Sequence, residues 1–423
     1  MADDNPAPNA QAARSYWFDE GYSTGGLIKP IDYAKNSTGL HPSLKGIKIV
    51  DCDTHFSEPP DMFTSRAPAK YKDKAPHIKL VDGIEYWFVG DKNFGFTGGN
   101  VVSRDHNKLL GRFGFQTFAE GHPGSHQVKP RLEAMDDMGV YAQICYQNAG
   151  VTQAGSLMAL GDNDLAVTII KIYNDAAIER EQESNQRIFT LGHLPIWDKA
   201  AMEAEARRCI DMKIKGFVLP DTPERLHIAP PYGDPYWSAL LEMCEANGIS
   251  LNFHLNAAIN PNELAWKGFS FEQTLAVMAT MFSIGNAATL GNWMVSGLLD
   301  TYPKLKIGLI ESGMGWVPFA IEALEHQFDE MLPSTKTKAP ERRPWEYFRE
   351  NFWVTYWFEK VGPKLLLETL GADRVLFETD FPHPTSLYPG VQDHLVDTLG
   401  GYDYGVRKQV LQDNAVKLYN LPF

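Results

Sequence analysis

The chain has 423 residues, 44% hydrophobic and 22% charged, ordinary figures for a soluble globular protein and enough length for one large domain. Its formal charge of −14 argues against non-specific nucleic-acid binding and against docking on anionic membranes, both of which need a basic footprint. The four cysteines (Cys52, Cys145, Cys209, Cys244) lack CxxC spacing, so they read as reduced thiols, those at 52 and 145 buried in apolar runs, and indicate neither a zinc knuckle nor a disulfide framework.

Residues 1–45 are polar and rich in Pro, Gly and Asn, with isolated aromatics at Tyr16, Trp17, Phe18 and Tyr22. Such a segment reads as an arm that orders only by lying on its own body or on a neighbouring subunit. The opening "MADDNPAPNAQAAR" lacks the basic start and apolar stretch of a secretory signal. No later run approaches the length of a membrane span, so a cytoplasmic, reducing location is expected.

From residue 46 to 423, short apolar runs alternate with helical patterns. Strands are expected at 47–54, 140–147, 187–195, 214–220, 249–254, 306–311, 352–357 and 374–380. Most are near-continuous apolar runs, the pattern of parallel strands covered on both faces. Helices are expected at 131–138, 162–185, 199–212, 235–247, 271–302, 317–330 and 361–370, with Asp162 or Asn163 capping the second and Gly248 ending the fourth. Eight strands with intervening helices predict an α/β fold of the (β/α)8 TIM-barrel type. An open doubly wound sheet is the alternative, but no GxGxxG follows the first strand. Residues 56–130 are too long for a simple crossover, and "HIKLVDGIEYWFVGDKNFGF" within them predicts a small hairpin around Asp82-Gly83. The stretch reads as an insertion at the barrel mouth, forming part of a substrate lid.

In such a barrel the chemistry gathers at the C-terminal strand ends. The first strand ends in Asp51, Asp53 and His55, the fifth in His254, the sixth in Glu311, and the eighth in Glu378 and Asp380 ahead of "FPHP". Residues 53 and 55 are two apart in an extended segment and project to the same side. A lone aspartate near a strand end ordinarily caps the next helix, and a lone histidine is ordinarily a core residue. Converging together, these acids and imidazoles would repel and be costly to desolvate without a cation, so a metal site is expected. Further candidates are His383 beyond Asp380, His122 and His126 in the insertion, and His193 ending the third strand. Glu58 and Glu378 read as supporting or structural residues.

The segments "IVDCDTHFSEP", "RLEAMDDMGV", "ISLNFH", "YPKLKIGLIESGMGW" and "VLFETDFPHP" resemble the amidohydrolase-related family that includes aminocarboxymuconate-semialdehyde decarboxylase and the resorcylate-type decarboxylases. The resemblance spans roughly residues 46–420 and implies one or two divalent ions at a barrel mouth, acting on small, often carboxylated molecules. It implies Asp53, His55, His254 and Asp380 as metal residues, with Glu311 where many members carry a histidine, and His383 as a substrate or supporting contact. Asp53 also departs from the commoner His-x-His.

Three carboxylates and two imidazoles form a harder set than the histidine-rich sites that favour zinc, so Mn²⁺ and Fe²⁺ stand beside Zn²⁺. Glu311 then serves as an acid–base group beside one metal or as a ligand to a second. The expected activity is metal-dependent hydrolysis, with Asp380 as base, or non-oxidative decarboxylation, with a carboxyl group as proton donor. The alternatives are a dinuclear iron or iron–manganese oxygenase on the same barrel, and a non-catalytic metal-holding subunit of a hetero-oligomer with a paralogous partner. A small-molecule substrate and a homo- or hetero-oligomer are the expected partners.

Overall fold

The structure, a computed structural model, describes residues 39–254, 265–334 and 339–423. Most of the expected arm, with its four aromatics, therefore lies outside the described residues.

Every expected strand forms: β1 (Val50–Phe56), β5 (Ala142–Gln147), β6 (Ile188–Thr190), β7 (Gly216–Val218), β8 (Ser250–His254), β9 (Lys306–Ile310), β10 (Phe352–Tyr356) and β11 (Val375–Phe377). All pair in parallel, in the orders β1-β5-β6 and β7-β8-β9-β10-β11. The two sheets meet at both seams. Gly192 bridges to Phe217 beyond β6, and Thr54 bridges to Phe381 beyond β11. At the second seam Asp380 N–H donates to the Asp53 carbonyl at 2.9 Å and His55 N–H to the Phe381 carbonyl at 2.8 Å.

The near-continuous apolar character of these strands follows from burial on both faces. Val50, Cys52, Ala142, Ile144, Tyr146, Ile310 and Leu376 pack together in one cluster. Neighbouring strand residues such as Cys145, Phe217 and Leu309 join the larger cluster under the helices. The C-terminal helix Asn414–Tyr419 covers the first cluster through Ala415, Leu418 and Tyr419. All four cysteines are free and buried, an outcome expected for Cys52 and Cys145.

Helix punctuation falls where the residues dictate. The Asp162 carboxylate caps the Asn163–Glu183 helix by accepting from Leu165 N–H at 3.1 Å. Gly248, with φ of 62°, ends the Ser238–Asn247 helix in the left-handed conformation that a side chain would oppose. The expected 271–302 helix is broken: Phe271–Val295 stops before Gly297, whose φ of 75° starts a separate turn at Leu298–Thr301. Helices also form at Pro344–Asn351 and Val391–Leu399.

One expectation is corrected here. The Phe271–Val295 helix is long and apolar enough to cross a membrane by length and composition, and 22% of its most apolar window is buried. Its single charged residue is Glu272; scattered Gln, Thr, Ser and Asn had broken the apolar run without charging it. Its second half docks on the strands through Leu290, Trp293 and Met294, and Asn286 Nδ2 donates to the Ile310 carbonyl at 3.1 Å.

The expected hairpin is real and larger than predicted. β2 (His77–Val81) and β3 (Ile84–Val89) turn through Asp82-Gly83, with φ of 52° and 82°, and a third antiparallel strand, β4 (Lys92–Phe96), follows. Trp87 anchors this sheet in a core shared with Phe63, Val151 and Leu165.

Candidate metal centre

The side chains of Asp53, His55, His254 and Glu311 bring one ligand atom each to within 4.8 Å of one another, and so do His55, Asp380 and His383. His254 Nε2 lies 3.0 Å from Glu311 Oε2 and 3.4 Å from Asp53 Oδ1. His55 Nε2 lies 3.3 Å from Asp380 Oδ1 and 3.7 Å from Asp53 Oδ1. An imidazole nitrogen offers one lone pair, so the two groups sharing His55 describe one principal site with His383 at its flank.

Local folding explains the convergence. A register irregularity between Asp51 and Thr54 places one extra residue on β1, and both Asp53 and His55 are buried at its end. Glu311 and Asp380 follow β9 and β11 with φ of 54° and 59°, a conformation costing a non-glycine residue about 1–3 kcal/mol. Supporting groups hold them there. The Glu311 N–H donates to Glu378 Oε2 at 3.1 Å and to Thr355 Oγ1 at 3.2 Å. Thr385 Oγ1 donates to Asp380 Oδ2 at 2.7 Å. Asp51 does not face the cluster: it accepts from Thr379 N–H at 2.8 Å and from Gln143 Nε2 at 3.1 Å, tying β11 to β1 and β5. Beyond Glu311, the Glu359 carboxylate accepts from Met314 N–H at 2.9 Å and Gly315 N–H at 2.8 Å. A Cβ on Gly313 would meet that carboxylate at 2.7 Å, which accounts for the glycine-rich turn.

The donor set fits a cation. Asp53 Oδ1 and Oδ2, His55 Nε2, His254 Nε2, Glu311 Oε2 and Asp380 Oδ1 are all buried and none has a well-directed hydrogen bond. His55 Nδ1 is 2.8 Å from the Gln147 carbonyl, so it carries the proton and Nε2 presents a lone pair. Burial pushes the Asp53 and Glu311 carboxyls well above the usual range, and neighbouring carboxylates push them further. Burial lowers His254 to about 4, leaving its imidazole neutral. Asp380 is opposed by burial, yet the His383 and His55 imidazoles hold it well below the usual carboxylate range.

His383 is oriented by a residue the sequence reading passed over. Asn148 Nδ2 donates to Ser57 Oγ at 2.7 Å and to the Gly99 carbonyl at 2.9 Å, while its Oδ1 accepts from Gly99 N–H at 2.8 Å. With the amide thus fixed, His383 Nε2, 2.9 Å from Oδ1, must be the donor. His383 Nδ1 then faces Asp380 Oδ1 at 3.1 Å, and the ring stacks on His55 with centroids 3.6 Å apart. Lys108, in segment 56–130, is drawn toward Asp380, and its Nζ donates to the Ser386 carbonyl. Asn148 follows an apolar strand directly, a position that flags it; Lys108 carried no signal.

Among the described residues, the other expected candidates stay outside the cluster. His122 Nδ1 accepts from Gly124 N–H at 2.9 Å and caps a turn. His126 pairs with Ser125 and Gln127 and sets its ring edge against Phe118. His193 is buried with its ring edge on Tyr173. Glu58 accepts from Ala149 N–H at 3.0 Å, the supporting role expected of it.

A family model described as amidohydrolase matches residues 50–421. A gamma-resorcylate decarboxylase from Rhizobium is 27% identical over 264 residues, covering 60% of this chain and 76% of that protein. The crystal structure of 2,6-dihydroxybenzoate decarboxylase from Rhizobium superposes with a TM-score of 0.60 at 21% identity, covering 89% of this chain and all of that one. A 5-carboxyvanillate decarboxylase from Novosphingobium aromaticivorans, complexed with manganese and a nitrobenzoic acid, gives a TM-score of 0.63 at 14% identity, covering 92% of this chain and 99% of that one.

Proposed function

This chain belongs to the amidohydrolase family, and from that premise we propose that it is a (β/α)8-barrel, metal-dependent decarboxylase that removes the carboxylate of a small aromatic acid without oxidation. The observation that carries the reading is the set of buried, unpaired ligand atoms from Asp53, His55, His254, Glu311 and Asp380 at the strand ends. Those residues would hold a divalent ion, and the hard, carboxylate-rich set suits manganese or iron. The names of the similar proteins, decarboxylases of hydroxylated benzoic acids, support the substrate class.

The chemistry a bound ion supplies is positive charge for the substrate carboxylate or a neighbouring oxygen. The residues supply the rest. In decarboxylation the bond from ring carbon to carboxylate breaks, carbon dioxide leaves, and the ring carbon keeps the electron pair and takes a proton. His383, whose Nδ1 faces Asp380 Oδ1 at 3.1 Å, would take up a second proton at Nδ1 from solvent and give it to the ring carbon. Segment 56–130 walls the site, its backbone at Gly99 lying against His383.

The test is turnover of hydroxybenzoic acids by protein of measured metal content, under nitrogen and in D2O. Carbon dioxide release with one deuterium at the vacated ring carbon is expected. A strict requirement for O2 would sink the reading and favour the oxygenase to which the same acidic set is suited.

A further inference from the structure

Beside His383 lies a hollow that the decarboxylase reading does not by itself explain. It has a volume of about 460 Å³, within the range of small-molecule sites, and is walled by the 98–116 loop of the insertion and the start of the Phe271–Val295 helix. We propose that this hollow seats the apolar body of the substrate, so that the substrate is an aromatic acid carrying a second ring or a hydrocarbon group of similar size; this rests on the decarboxylase reading.

Phe96, Phe113 and Phe271 line the hollow and remain 57%, 41% and 59% exposed. Leaving several phenyl rings to water around one concavity is unfavourable, and such patches mark binding sites. The two walls touch: Phe113 and Phe271 meet edge to face with centroids 6.1 Å apart. The loop wall is also fastened, since the Phe113 carbonyl accepts from Asn100 N–H at 3.2 Å and the Gln116 carbonyl from Glu85 N–H at 2.8 Å. The hollow is thus held by hydrogen bonds and ring contacts.

It borders the His383 end of the cluster. Gly98 and Pro384 line it. Gly99, next to the first, lies so close to His383 that a Cβ there would sit 2.8 Å from the ring. Pro384 directly follows His383. An acid whose carboxylate reaches the metal ligands past His383 therefore has this hollow for its remaining bulk.

The experiment compares kcat/KM for 2,6-dihydroxybenzoate and its 4-phenyl derivative on the full chain with manganese. At least a tenfold preference for the phenyl derivative is expected, and the Phe113→Ala/Phe271→Ala double variant should remove it. Should that variant fail to fold, Leu275→Trp, which fills the hollow, should raise KM for the phenyl acid far more than for the smaller one. Equal kcat/KM for the two acids in the parent chain, or a preference that survives these variants, overturns the proposal while leaving the decarboxylase reading intact. If neither acid is turned over, that reading fails, and calorimetry with biphenyl-4-carboxylate and benzoate tests the hollow alone. Tighter binding of the biphenyl acid that the variants abolish supports the proposal, and equal binding overturns it. A double variant that loses self-association but keeps its ligand preference shows a second copy in the hollow, which also overturns it.

Discussion

Asn148 is not among the proposed metal-holding residues, yet the position of His383 depends on it. Its amide is saturated by Ser57, Gly99 and His383, so no alternative rotamer keeps all four hydrogen bonds. Asn148→Asp keeps an acceptor for His383 but loses both donors and sets a carboxylate against the Gly99 carbonyl. We expect kcat to fall at least tenfold with KM and metal content little changed, while the ¹⁵N shifts of His383 keep the Nε2-protonated pattern because the carboxylate still accepts from it. An unchanged kcat would remove Asn148 from the account. Glu58 makes a separate case, in stability. Burial raises its carboxyl from 4.5 to about 7, with Oε1 lacking a partner. A folded-state pKa above the unfolded one favours the fold at low pH, and that advantage fades as pH rises through 7. Glu58→Gln cannot ionise, so it should melt close to the parent chain at pH 4 and above it at pH 8, by roughly 3 kcal/mol at most. Equal melting differences at both pH values would show that Glu58 is not held protonated.

At the scale of elements, the seam between β1 and β11 is fastened by side chains as much as by the backbone. Thr379 Oγ1 donates to Asp51 Oδ2 at 2.6 Å, and its N–H to Asp51 Oδ1 at 2.8 Å. Thr379→Val leaves a fully buried carboxylate short of one donor, so unfolding in urea should show a loss of about 1–3 kcal/mol. Metal affinity should fall with it, because Asp53 and Asp380 flank the seam. An unchanged urea midpoint would mean the seam is held by its backbone hydrogen bonds and packing without help from Thr379 Oγ1. The same elements show how far the sequence could be read. The strands were legible because runs such as "ISLNFH" are buried on both faces, and a polar residue ending such a run, like His254 or Glu311, stands out. The left-handed backbone at Glu311 was not legible, since Glu378 and Thr355 hold its N–H from other strands, and that at Asp380 was not, since Asp53 and Thr385 hold it through contacts distant in sequence or in the following loop. Asn148 and Lys108 were missed for a similar reason. Their meaning depends on how segment 56–130 packs against the strand ends, and loop paths leave no periodic signal.

For the whole molecule, the cluster sets how stability depends on metal and pH together. Asp53, Glu311 and Glu378 are buried beside one another and beside Asp380, and without a cation each of the three carboxyls is pushed well above its usual range. The metal-free chain therefore takes up protons on folding, and its stability declines as pH rises through those elevated values. With a divalent ion bound, the carboxylates that hold it would be ionised and their charge largely offset, so stability is retained at high pH and lost on acidification as protons displace the ion. The two curves separate upward: the melting difference between manganese-loaded and EDTA-treated protein should be small at pH 5 and several degrees or more at pH 8. Loading at constant pH near 7 should release protons, which a weakly buffered calorimetric titration reads directly. A melting difference that shrinks from pH 5 to pH 8, or loading without proton release, would mean that these carboxylates do not share a cation. The strained backbone at Glu311 and Asp380 would then lack the function that keeps strain at such positions.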